Sequence, residues 1–171
     1  MNNENQLDIG KYENAALYFI NHCNNSFLGK TKINKLFYYL DFISYRDGKK
    51  SVTGDSYTHN KLGPVPDSLL TEIIPRLKEK RKIDITESEI SKDGETFITY
   101  KFIALENPDM SFFNLEEIRL LKNICKEFNS WTSDKMVEQT HFEAPWFYSL
   151  KGEKIDFEYA RDIDFFQDQD N

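Results

Sequence analysis

The sequence predicts an α+β fold, mainly α: a compact helical domain around a central aromatic-rich helix, with one small antiparallel β-hairpin. Three observations predict it. Apolar residues recur at helical spacing in several separate stretches, and in one of them, residues 31–45 (TKINKLFYYLDFISY), they occupy more than one side. Residues 83–105 switch to period two around the turn pair Asp93-Gly94. A chain of 171 residues with 39% hydrophobic and 15% aromatic residues suffices for one packed core.

The first helix is read from Tyr12, Ala15, Ala16, Phe19, Ile20 and Cys23, an apolar stripe interrupted after it by Asn24-Asn25-Ser26 and Gly29. Thr31 is the expected cap of the second helix. There Ile33, Leu36, Phe37, Leu40 and Ile43 form one stripe, Tyr38, Phe42 and Tyr45 a second, and Tyr39 fills in between. Such a helix must be covered on several sides and belongs at the centre, ending at Asp47-Gly48 with glycine in the left-handed position. Residues 49–65 read as an extended segment and loop. Pro66 is placed to launch a helix over residues 67–80 on Leu69, Leu70, Ile73, Ile74 and Leu77, with a kink at Pro75.

Ile83 and Ile85 open the hairpin, and Asn107-Pro108 closes it. Asn114 with Glu117 three residues on is a capping box for a fourth helix, whose buried face runs through Leu115, Ile118, Leu121, Ile124, Cys125, Phe128 and Trp131. A short helix over residues 133–141 turns Met136, Val137 and Thr140 inward. Pro145-Trp146 bends the chain, and a last short helix is expected over residues 156–166. From Glu153 onward seven acids face two bases, which reads as a solvated acidic end. The whole chain, residues 1–171, is expected to be one domain, with residues 1–10 and 167–171 as flexible ends.

Composition narrows the function classes. The net charge of −7 disfavours phosphate backbones as partners. No signal peptide and no apolar run long enough for a membrane span is visible, so a cytoplasmic location without membrane contact is expected. Cys23 and Cys125 have no CxxC pairing and are expected to be reduced core thiols. His22, His59 and His141 match no zinc spacing, and no GxSxG elbow, GxGxxG loop or phosphate-binding loop occurs. The sequence therefore assigns no catalytic, cofactor-binding or metal-ligating residue, and an enzyme is not expected. Residues 115–141 resemble a helix-turn-helix in outline. Across residues 112–150, however, four bases stand against six acids, which argues against nucleic acid. Tyrosine-rich surfaces favour protein partners, since they contribute large area at little rotamer cost.

Three stretches, taken together, resemble the Panacea domain, the SocA-like antitoxin domain related to phage-associated GepA proteins. Lys32-Ile33-Asn34-Lys35-Leu36-Phe37-Tyr38-Tyr39 is similar to its K-L-x-K-L-x-Y-Y helix. Gly63-Pro64-Val65-Pro66 is similar to its G-P-V turn, and Thr140-His141 with Pro145-Trp146 to its T-H-x-x-x-P-W. An aromatic residue often precedes the Gly-Pro in that family. Here Asn60, Lys61 and Leu62 stand there, with Tyr57 the nearest ring, so the partner recognised may differ. The resemblance implies a bacterial or prophage antitoxin that neutralises a cognate toxin, encoded by an adjacent gene, through direct contact. An adaptor delivering the toxin to a Clp-type protease is the alternative, with a helix-turn-helix regulator behind it. Tyr57, His59, Lys61, His141 and Trp146 are the expected partner contacts. Lys35, Leu36, Tyr38, Tyr39, Gly63, Pro64 and Pro145 are the expected structural motif.

Overall fold

The computed structural model describes residues 6–23 and 28–167. Helix α1, Ile9–His22, starts where the Asp8 carboxylate accepts the Lys11 amide at 3.0 Å, and its predicted stripe is buried. Helix α2, Lys30–Gly48, lies at the centre. Ile33, Leu36, Phe37, Tyr38, Tyr39, Leu40, Phe42 and Ile43 are all fully buried, so the multi-sided apolar surface is covered as expected. Its ends differ from expectation. Gly29, not Thr31, holds the N-cap position with no side-chain bond, and Lys49, not Gly48, takes the left-handed conformation with φ 56°.

A buried polar network follows α2. The Asp41 carboxylate accepts the amides of Val52 and Thr53 at 2.9 and 2.8 Å and the Tyr57 hydroxyl at 2.7 Å. Burial pushes its pKa up to about 6, against the pull of those donors. The Tyr12 hydroxyl donates to Asp55 at 2.7 Å, so the loop over residues 51–55 is fastened to both α1 and α2.

Strands β1, Tyr57–Asn60, and β2, Gly63–Pro66, pair antiparallel, with His59 opposite Pro64 and Asn60 opposite Gly63. This is a second hairpin, in a stretch that reads as loop in the sequence. Two of the four β2 residues are prolines without a donor amide, which hides the strand from pattern reading. The outer edge of β1 is covered by the C-terminal segment: His59 N–H donates to Glu153 O, Gly152 N–H to His59 O and Ile155 N–H to Tyr57 O. Pro66 thus ends a strand instead of launching a helix. A π-helical turn, Leu69–Ile73, leads into α3, Ile74–Glu79. Pro75 sits in the first turn of α3, and its missing amide accounts for the change of hydrogen-bond pattern where a kink was expected.

Strands β3, Ile83–Lys92, and β4, Glu95–Ala104, pair from Ile83↔Ala104 to Lys92↔Glu95. Asp93 and Gly94 both have positive φ, the requirement of the tight turn read from sequence. Only the root of this hairpin is buried, at Ile83 and Phe102.

Helix α4, Leu115–Phe128, carries the predicted capping box at Asn114 and Glu117, but Leu115, expected on its buried face, is 79% exposed, because it opens the helix beyond the reach of the core that covers Leu121, Ile124, Cys125 and Phe128. It is followed by α5, Ser133–His141, and the single turn α6, Ala144–Phe147. Lys32 of α2 reaches the carboxyl end of α4, donating to Asn129 O and Trp131 O at 2.8 and 2.7 Å, where a cation suits the orphan carbonyls. Burial lowers its pKa to about 8.

Two expectations are corrected here. Cys23 and Cys125 are joined in a disulfide with Cα atoms 5.4 Å apart, not reduced thiols, because α1 and α4 pack side by side and close a separation no spacing rule reveals. The C-terminal segment is also not a wholly solvated end. A 3₁₀ turn, Phe157–Asp162, replaces the longer helix, and Ile155, Ala160 and Ile163 are buried between the acids. Arg46 donates to the carbonyls of Ile163 and Phe165, both at 2.7 Å, which pins the segment to α2. Residues 8–10 cap and begin α1; residues 1–5, 24–26 and 168–171, for which flexible ends or a helix break were expected, lie outside the described residues. No described helix is long and apolar enough to cross a membrane.

Candidate functional site

The three motif stretches, remote in sequence, meet at one joint. Lys35 projects from α2 with 1% of its surface exposed and donates to Pro64 O at 2.7 Å. No carboxylate among the described residues bonds to this amine, and burial lowers its pKa to about 7. Gly63 has φ 97°, and a Cβ there would stand 2.5 Å from Thr140 Oγ1 and 2.9 Å from Lys35 Nζ. Glycine is therefore required both by the backbone and by the closeness of two other elements.

Trp146 closes the joint from α6. Its indole Nε1 donates to Asn60 O at 2.9 Å, fixing α6 to the β1–β2 turn. The rings of His59 and His141 stack on the indole at 4.4 and 3.9 Å. Ser149 Oγ lies 2.9 Å from His59 Nδ1 and also contacts the carbonyls of Pro145 and Trp146. Carbonyls only accept, so the hydroxyl proton points to them and His59 Nδ1 is the donor to Ser149. His141 bonds the Lys61 backbone, while its Nε2 is buried with no partner among the described residues. Burial, followed by the Lys35 charge, lowers its pKa.

The paired tyrosines of α2 also end here. Tyr38 and Tyr39 donate to the two oxygens of Glu143 at 2.8 and 3.0 Å, and Gln139 adds a third donor at 3.2 Å. Burial raises the Glu143 pKa, partly offset by these donors. Glu143 sits between α5 and α6, so the two rings lock that bend onto the central helix. The hydroxyl outlet that these tyrosines need is internal.

Of the expected contacts, Lys61 is exposed and His59, His141 and Trp146 are half-buried. Tyr57 is fully buried, with its hydroxyl donating to Phe37 O at 2.9 Å and to Asp41. It has no surface to offer a partner, so its expected contact role is corrected to a core role. Lys35, Leu36, Tyr38, Tyr39, Gly63, Pro64 and Pro145 are all buried. Two open clefts of about 500 and 460 Å³ lie elsewhere, and neither is lined by any residue of the joint. In α5, Lys135 lies 3.7 Å over the Trp131 ring, so the one lysine in the second helix of the helix-turn-helix outline is drawn back onto the protein.

Sequence reasoning missed the outward side of the joint. Phe142, Phe147, Tyr148 and Leu150 are 79%, 65%, 62% and 67% exposed. The available signal was a dense apolar run, residues 144–150, too short and too proline-bent to be a buried helix.

The fold and its joint define a small, mainly helical α+β domain in which the motif residues brace one bend of the chain. The sequence model of the family described as antitoxin SocA-like, Panacea domain, matches residues 33–147, and the chain belongs to that family. Membership brings an antitoxin role in general, and with it a toxin as partner. No curated protein and no solved structure matches the chain.

Proposed function

We propose that this chain is the antitoxin of a bacterial or prophage toxin–antitoxin pair and neutralises a cognate toxin by direct binding in the cytoplasm, without catalysis or a cofactor. The observation that carries this reading is the family match over residues 33–147, with its motif residues engaged in internal bonds. A buried lysine, two stacked imidazoles and a tyrosine-bound carboxylate resemble catalytic parts; this reading takes them as structural, since Lys35 bonds Pro64 O, both imidazoles stack on Trp146 and Glu143 accepts from Tyr38 and Tyr39. This reading assigns toxin contact to exposed Lys61 and to half-buried His59, His141 and Trp146. The net charge of −7 favours a basic toxin, because opposite potentials speed encounter.

Co-expression with the product of the adjacent gene is the test. Growth arrest by that product alone, relieved by this chain through a complex that co-purifies, is the expected result. A harmless neighbour, or undiminished arrest, refutes the reading. Rescue that requires a Clp-type protease and shortens the toxin's half-life shows delivery in place of blocking.

A further inference from the structure

We infer that the outward face of the α5–α6 bend, formed by Phe142, Phe147, Tyr148, Leu150 and Tyr159, is the surface on which a basic protein partner docks through an apolar anchor; the partner's being the toxin rests on the function proposed above. Four of these side chains are more than 60% exposed within nine residues of chain. The Tyr148 ring lies 5.2 Å from that of Phe147 and 5.7 Å from that of Tyr159, so α6 and the following 3₁₀ turn present one aromatic surface. Single exposed apolar residues need no explanation, but a cluster of large rings on one bend marks an interface.

The rings stand on a rigid base. Trp146 is bonded to Asn60 O, Ser149 Oγ to the carbonyls of Pro145 and Trp146, and Glu143 to Tyr38 and Tyr39. Of the Thr140–Trp146 motif, Thr140 and Pro145 are buried and His141 and Trp146 half-buried, while Phe142 between them is exposed. Docking on a preorganised surface avoids the ordering cost a mobile loop would carry.

Charge selects the occupant. Beside the rings, residues 151–164 hold Glu153, Asp156, Glu158, Asp162 and Asp164 against Lys151, Lys154 and Arg161; Lys154 is paired with Asp67, Glu158 with Lys49 and Asp162 with Arg161, which leaves Glu153, Asp156 and Asp164 against Lys151. A second copy would bring the same acidic border and another −7 charges to the face. A basic partner meets the opposite potential.

The test uses the full chain and the purified product of the adjacent gene in titration calorimetry, with folding checked by circular dichroism. Phe147→Ala and Leu150→Asp are expected to weaken binding about 30-fold or more, the size of interface hot-spot losses. Ile98→Ser, on the equally exposed β3–β4 hairpin, is expected to leave affinity unchanged. Normal binding by all three variants, or loss confined to Ile98→Ser, overturns the surface while the antitoxin reading stands. No binding by the unaltered chain overturns both. Self-association of the unaltered chain that Phe147→Ala abolishes, seen by sedimentation, assigns the face to a second copy and also overturns the inference.

Discussion

Gly63→Ala tests the joint most directly, because two independent costs fall on one methyl group. The first is conformational: at φ 97° an L-residue suffers strain of about 1–2 kcal/mol, by analogy with the left-handed region. The second is steric. The new Cβ would lie 2.5 Å from Thr140 Oγ1 and 2.9 Å from Lys35 Cε and Nζ. Neither neighbour retreats freely: Thr140 Oγ1 donates to Val137 O at 2.9 Å, and Lys35 Nζ is buried and bonded to Pro64 O. Overpacking of this kind costs roughly 1–3 kcal/mol. The sum is about 2–5 kcal/mol, read as a lower urea midpoint at unchanged slope. A cycle with Thr140→Ala separates the parts, since removing the hydroxyl relieves the closer contact and leaves the strain and the Lys35 contact; the two changes should therefore couple favourably. A Gly63→Ala variant within about 0.5 kcal/mol of the parent, the usual range of surface substitutions, would refute the account of the joint.

Three further outcomes are expected. Lys35 has a folded pKa near 7 against 10.5 ordinarily, so the unfolded chain binds more protons between those values and stability rises with pH across that window. The Lys35 contribution is at most about 5 kcal/mol, and Lys35→Met should flatten the rise in urea midpoint between pH 7 and 10; equal slopes would contradict it. Oxidised protein should show no reactive thiol until reduced, since Cys23 and Cys125 are the only cysteines, and reduction should cost about 2–5 kcal/mol in thermal or urea unfolding. Arg46→Ala removes the donor to the Ile163 and Phe165 carbonyls and should speed hydrogen exchange over residues 157–167 while α4 stays protected; unchanged exchange would show that apolar packing alone holds the segment.

Much of the framework was legible in the residues themselves. The stripes of α1 and α2, that of α4 from Ile118 on, the Asn114–Glu117 capping box and the Asp93-Gly94 turn each depend on neighbours within a turn or a strand pair, so pattern alone places them. The three motif stretches were legible as well, and they led to the family. The β1–β2 hairpin was not, because Pro64 and Pro66 suppress the alternation that marks a strand. The C-terminal packing was missed because Ile155, Ala160 and Ile163 are scattered among acids whose charge dominated the reading. Phe142, Phe147, Tyr148 and Leu150 went unassigned because the proline-bent run around them carries no period that tells an inward from an outward side, and only their position outside the bend leaves them in solvent.

The chain by itself therefore determined α1, α2, α4 and α5, its long hairpin, the central place of residues 31–45 and its family. Tertiary structure alone decided that Lys35 would meet the Pro64 carbonyl, that Tyr38 and Tyr39 would share Glu143, that Cys23 would join Cys125, and which rings would face outward. Local hydrogen bonding and side-chain periodicity are settled over a few residues. Contacts between distant segments are settled by which arrangement buries the most apolar surface while leaving the fewest polar groups unpaired, a property of the whole folded chain.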